Sequence, residues 1–252
     1  MANRSRYRTP GMFYVPGFPP GVKWLLISNV AIFILSLFAQ GTALGTVFAW
    51  LALTPRIVIE GLAVWQLVTY MFLHGGFMHI IWNMLALWMF GADLERDWGT
   101  RRFLKFYFFC GVGAGICVVI VNYLLPFGNP GIATIGSSGA IFGILLAYAM
   151  MYPTRTILWG FLIPIQVRWF VLIVGAISFL SAFRGVNTGV SEFAHLGGLL
   201  FGYIYMKLPR NVGFDVIGPM RRQYHDWKIQ RAKRKFQVYL KKQGSDRDKW
   251  VH

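Results

Sequence analysis

Acidic residues are scarce in this chain: nine Asp and Glu stand among 252 residues, against 25 Lys and Arg. The chain lacks the charged intramembrane residues that commonly couple ions, which argues against a small-solute transporter. Cysteine is scarcer still, at two residues. Cys110 and Cys117 lie seven apart on one expected helix, about 10 Å along its axis at about 1.5 Å per residue, too far to bridge, and they offer no zinc pattern. They read as helix-packing residues. His74 and His79 are five apart, out of line on a helix face, and the chain has no HExxH sequence. No metal or cofactor is expected. Charge of any sign makes up 13% of the chain while 56% is hydrophobic, which excludes an ordinary soluble domain.

What the chain does have is long uncharged stretches. They run from Trp24 to Pro55, Gly61 to Ala92 and Phe106 to Thr154, with shorter ones at Trp169–Phe183 and Phe193–Met206. Since a membrane helix needs roughly 20 residues, several stretches must hold more than one element. The expected fold is an all-α integral membrane protein with six spans. These are Lys23–Gln40, one from about His79 to the polar cluster Asp93, Glu95, Arg96 and Asp97, then Phe103–Leu125, Ser138 to Tyr152-Pro153, Arg168–Phe183 and Phe193–Met206. Between the first two, residues 41–77 break at Gly41, Gly45, Pro55 and Gly61 into pieces too short to span, which favours a re-entrant or interfacial loop. The domain division is 1–22 as an irregular N-terminal arm, 23–207 as the membrane domain and 208–252 as a basic tail.

The net charge of +16 raises nucleic acid as a partner, but 23 of the 25 basic residues fall in the arm, around Arg96–Lys105, at Arg155 and Arg168, and from Lys207 onward. Only Arg56 and Arg184 lie in the other connections. That asymmetry is a topology signal: both termini are expected in the cytoplasm, with a bacterial plasma membrane as the setting and no nucleic-acid partner. Basic residues precede the first span without a small-residue cleavage site, the pattern of an uncleaved signal anchor. In the tail, Tyr224, Trp227, Phe236 and Tyr239 interleave with Arg231, Lys233, Arg234 and Lys235. This suits an amphipathic helix on anionic lipid as well as a plainly solvated basic tail. The sequence carries no signature of a particular oligomeric state.

Three polar clusters interrupt the apolar segments: Gly136-Ser137-Ser138-Gly139, His79 with Asn83, and His195. Measured from the cytoplasmic end of each span, Ser138, His195 and Asn83 stand roughly 22, 18 and 20 Å deep on untilted helices. Each alone reads as a helix cap or a satisfied interhelical hydrogen bond. Matching depth on three helices argues instead for one shared site, because polar groups there need partners or a wet cavity. Serine beside an imidazole is the minimum for nucleophilic catalysis; the helix-start N–H of Ser138, His79 and Asn83 would supply donors for the oxyanion. Of the carboxylates, Asp93, Glu95 and Asp97 lie at the opposite end, Glu60 is in the first loop and Glu192 sits at an outer helix edge. A Ser138–His195 dyad is therefore expected, not a triad. Gly139 and Gly143 on the fourth span, and Gly198 and Gly202 on the sixth, are small-xxx-small pairs that let two backbones approach.

These motifs, in order, resemble the rhomboid intramembrane serine proteases: His74-x4-His79-x3-Asn83, Gly91-x3-Glu95-x2-Trp98-Gly99 with Arg101-Arg102-Phe103, Gly136-Ser137-Ser138-Gly139, and Ala194-His195-x2-Gly198-x3-Gly202. The resemblance covers roughly Lys23 to Lys207. It implies a six-helix rhomboid-like bundle, with Ser138 as nucleophile, His195 as general base, and His79 and Asn83 as oxyanion stabilisers. It also implies a supporting role for His74, an aromatic ring, Phe142, against the histidine, and a mobile fifth helix as the gate. Transmembrane proteins would be the substrates. The alternative is a catalytically silent relative that binds membrane clients for quality control. One departure concerns the first loop, where many relatives carry Trp-Arg and this chain has Trp65-Gln66.

Overall fold

The computed structural model describes residues 18–126, 128–160, 162–182, 192–208 and Arg231. The expectations for the arm up to residue 17, for Phe127, for residues 183–191 and for the tail from residue 209 onward, Arg231 aside, lie outside the described residues.

The described chain is mostly helical. Helix α1, Pro20–Ala39, starts on a proline, whose fixed φ suits a first helical turn. Its open N–H groups are capped from a distance: the buried Glu95 carboxylate accepts from Gly21 and Val22, 2.7 Å each, and from the Thr100 hydroxyl at 2.6 Å. One carboxylate thus complements the positive end of α1 and ties it to a second helix start.

Residues 41–77 form short pieces, as their glycines and prolines dictate: α2 (Ala43–Leu51), α3 (Pro55–Glu60) and α4 (Gln66–Thr69), the last running into a 3₁₀ turn at Tyr70–Phe72. Gln66, fully buried, holds them together. Its Nε2 donates to the Trp50 carbonyl at 2.8 Å and its Oε1 accepts from the Thr54 N–H at 2.9 Å. The neutral amide thereby satisfies both an acceptor and a donor, which an arginine, having donors only, would not do. The loop is also fastened to later parts of the chain. Tyr70 donates its hydroxyl to the Gly111 carbonyl at 2.7 Å, and its own carbonyl accepts from the Gly136 N–H at 2.9 Å.

Helix α5 (Phe77–Ala86) continues through a π-helical turn, Leu87–Gly91, into α6 (Ala92–Trp98), and Gly99 separates it from α7 (Thr100–Leu124). Then come α8 (Ser138–Met151), α9 (Val167–Ala182) and α10 (Glu192–Lys207). Among the described residues three helical runs are long and apolar enough to cross a membrane: Pro20–Ala39, Phe77–Trp98 and Thr100–Leu124. Helices α8 and α9 are apolar but shorter. The all-α expectation needs one correction. Strands β1 (Thr156–Trp159) and β2 (Ile163–Gln166) pair antiparallel between α8 and α9, with Gly160 at φ 63° in the turn. Pro153 ends the preceding helix, and the residues beyond it pair as a hairpin because glycine supplies the left-handed conformation the turn needs.

Helices α7, α8 and α10 meet through glycine. A methyl group on Gly202 would stand 3.0 Å from the Gly143 Cα, and one on Gly198 would overlap the Gly139 carbonyl. Gly143 faces the Cys110 thiol of α7, and Gly197 faces Cys117, so both cysteines pack where expected. The backbones of α8 and α10 touch over two turns, which brings the first residue of α8 beside the first two turns of α10.

Candidate active site

Ser138 is the first residue of α8, and its Oγ lies 2.9 Å from the Nε2 of His195 on α10. The simpler alternative, a serine capping its helix, does not hold here. The cap position belongs to Ser137, which makes no capping bond; its buried hydroxyl instead faces His74 Nε2 at 3.4 Å. The His195 ring is buried and stacked on Phe142, one turn along α8, with centroids 4.2 Å apart and planes 4° from parallel. That contact fixes the ring plane, while the serine fixes one edge.

The other edge has partners that sequence reasoning misses. His195 Nδ1 lies 3.0 Å from Glu192 Oε2 and 3.3 Å from the Ser178 hydroxyl of α9. Depth along the helix axis places Glu192 too far out to take part. Its spacing from His195 is the signal that could have found it, since residues three apart on a helix are neighbours. Ser178 has no comparable signal; it is one of the few polar residues of α9, and only the packing of α9 on α10 brings it near.

His79 sits on the first turn of α5. Its Nδ1 accepts a long bond, 3.4 Å, from the Gly75 N–H, so the neutral ring carries its proton on Nε2, a buried donor with no partner among the described residues. That nitrogen points at Gly136: a methyl there would lie 2.7 Å from it and 3.8 Å from Ser138 Oγ. Gly136 has φ 120°, which also disfavours any side chain. Its bareness leaves the space between His79 and Ser138 open. Asn83, one turn further along α5, is buried with its Nδ2 likewise unpartnered. His74 packs edge-on against His79 at 5.0 Å, and burial, then the neighbouring His79 ring, pull its pKa down to about 4. It is therefore neutral at physiological pH.

The structure thus brings together Ser138, His195 and Phe142, sets His79 beside Gly136 and Ser138, and packs Gly139 and Gly198 as the contact between the two helices. Such an arrangement offers a nucleophile beside a base, and buried N–H donors with no partner among the described residues. The family model described as Rhomboid domain matches residues 62–210. Among curated relatives, the putative rhomboid protease YdcA of Bacillus subtilis is 32% identical over 141 residues, 56% of this chain and 64% of that protein. The rhomboid protease GluP of the same bacterium is 29% identical over 180 residues, 71% of this chain and 32% of the relative. RHOMBOID-like protein 4 of Arabidopsis thaliana is 30% identical over 160 residues, 60% and 36% respectively. The chain thus spans less than two thirds of the length of each of these relatives. The ordered motifs, the meeting of α8 with α10 and a domain match over more than half of its length agree: this chain is an integral membrane protein and belongs to the rhomboid family.

Proposed function

We propose that this chain is an intramembrane serine endopeptidase that cuts peptide bonds in or beside transmembrane segments of membrane-protein substrates. The observation that carries the reading is the 2.9 Å approach of Ser138 Oγ to His195 Nε2 under the Phe142 ring. In this reading Ser138 Oγ bonds to the scissile carbonyl carbon while its proton passes to His195 Nε2, and the carbonyl π pair moves onto oxygen. The resulting oxyanion takes hydrogen bonds from His79 Nε2, Asn83 Nδ2 and the first-turn N–H groups of α8, which lack partners within their own helix. As the carbon–nitrogen bond breaks, His195 returns the proton to the departing amine. Water then attacks the acyl-serine ester, giving a proton to His195 Nε2, and that proton goes back to Ser138 as the ester bond breaks.

The membrane setting follows the same reading. Residues 23–207 form the catalytic domain, with α1, α5–α6, α7, α8, α9 and α10 as six crossings and both termini in the cytoplasm of a bacterium. Residues 41–77 form the interfacial first loop and α9 serves as the gate. A substrate helix must unwind locally to present its carbonyl, because helical backbone groups are already paired, so helix-weakening residues are expected near the cleaved bond.

The test is cleavage of a single-span reporter protein in liposomes. Ser138→Ala and His195→Ala should each lower the rate by more than about 10⁴-fold without unfolding the protein. A fluorophosphonate probe should label the wild type. Undiminished cleavage by either variant overturns the assignment; a folded wild type that neither cleaves nor labels favours a silent, client-binding relative.

A further inference from the structure

We propose that Glu192, on the first turn of α10, is a positioning residue for His195, so that the reaction runs on Ser138, His195 and Glu192 acting together and not on a bare pair. The inference rests on the protease reading above, and its starting point is the proton count on the imidazole. To take the Ser138 proton, His195 Nε2 must be unprotonated, so in the neutral ring the proton must sit on Nδ1. A proton on Nδ1 needs an acceptor, because the ring is buried and a buried N–H left unmatched is costly.

Among the described residues two groups face Nδ1. Glu192 Oε2 is the nearer, at 3.0 Å, and as a carboxylate it can only accept. Ser178 Oγ of α9 stands at 3.3 Å and can either accept or donate. The carboxylate therefore takes the Nδ1 proton in a hydrogen bond, which locks the productive tautomer. The serine hydroxyl is a weaker second acceptor contributed by α9. When Ser138 gives up its proton, the ring becomes an imidazolium with a formal positive charge. Glu192 lies beside it on one edge and the Phe142 face lies against its plane, and both favour that charge. No proton leaves Nδ1 at any step; the carboxylate orients the ring and balances its charge.

An acidic residue on a first turn also complements the helix dipole, and that role would exist with no catalysis at all. The two roles make different predictions. A dipole partner affects folding, whereas a tautomer lock affects the chemical step. Ser178 adds a geometric consequence, since its bond to His195 reaches the same nitrogen from α9.

The experiment measures kcat and KM on the single-span reporter in liposomes, and the rate of fluorophosphonate labelling, for the wild type, Glu192→Gln, Glu192→Asp and Ser178→Ala. Glu192→Gln should lower kcat and labelling rate by roughly 10- to 100-fold with KM held, less than the ~10⁴-fold seen for a fully buried triad carboxylate because Glu192 is part-exposed. Glu192→Asp should restore part of the loss, and Ser178→Ala should cost less than Glu192→Gln. Nitrogen-15 NMR of His195 in the folded wild type gives a readout independent of any variant: the proton should reside on Nδ1 and resonate downfield. Wild-type kcat in Glu192→Gln overturns the proposal while leaving the Ser138–His195 assignment standing. So does a ring protonated on Nε2, or a loss of kcat matched by a loss of folded protein that Asp does not relieve. If the wild type itself neither cleaves nor labels, the protease reading fails and this inference falls with it.

Discussion

The two ends of α8 hold polar clusters of opposite character. At the Met151 end, Asp93 of α6 takes the Tyr148 hydroxyl at 3.0 Å and the Arg155 guanidinium at 2.7 Å, and its other oxygen takes Arg96 at 2.8 Å. Tyr152 donates to Asp97, and burial, then that bond, push the Tyr152 phenol up to about 12. Arg155 also donates to Tyr148 at 2.7 Å and lies over the Tyr148 and Tyr152 rings. Each of these groups has a partner. At the Ser138 end, His79 Nε2 and Asn83 Nδ2 are buried with none among the described residues. A buried polar atom without a partner costs about 1–3 kcal/mol, so two of them one turn apart on α5 mark a place where stability has been given up. Paired groups fasten α6 to α8; the unpaired donors are those that the protease reading assigns to the oxyanion.

The sharpest way to break this comparison is to remove one unpaired donor. Asn83→Ala should lower kcat/KM by about 10²-fold or more while the unfolding temperature holds or rises, because the lost Nδ2 has no partner among the described residues. Kinetics and thermal unfolding on the same preparation check it. A loss of stability that tracks the loss of activity would show Asn83 to be an ordinary packing residue. Gln66 belongs to the paired kind, and Gln66→Ala should act the other way round. It leaves the Trp50 carbonyl and the Thr54 N–H unmatched, at about 1–3 kcal/mol each, so the first effect should be on unfolding in detergent. The smallest effect belongs to the exposed rim of the paired cluster. Asp93→Asn should cost no more than about 1 kcal/mol, since its ion pairs are solvent-reached, and should leave reporter cleavage unchanged.

Much of this contrast is legible in the sequence. The starts of α8 and α10, the long runs of α1, α5–α6 and α7, and the glycine pairs all follow from where charges, prolines and small residues fall. The meeting of Ser138 with His195 is legible as equal depth on two helices. Glu192 is not, because counting residues along an axis places a side chain at its own Cα, whereas a glutamate on the outer turn reaches back to the next. Gln66 reads as a departure from its relatives, and only packing reveals that its two-way hydrogen bonding suits a donor and an acceptor at once. The β1–β2 hairpin escapes for a simpler reason: strands of four residues without alternating polarity leave no periodic trace. The π-helical turn at Leu87–Gly91 is a local adjustment inside one apolar run and has no composition signal either.

The most direct measurement is mass spectrometry of a single-span reporter after incubation with the purified chain in liposomes. The protease reading predicts a new terminus in or next to the reporter's transmembrane segment with the wild type, and none with Ser138→Ala. The same terminus appearing undiminished with Ser138→Ala would contradict it.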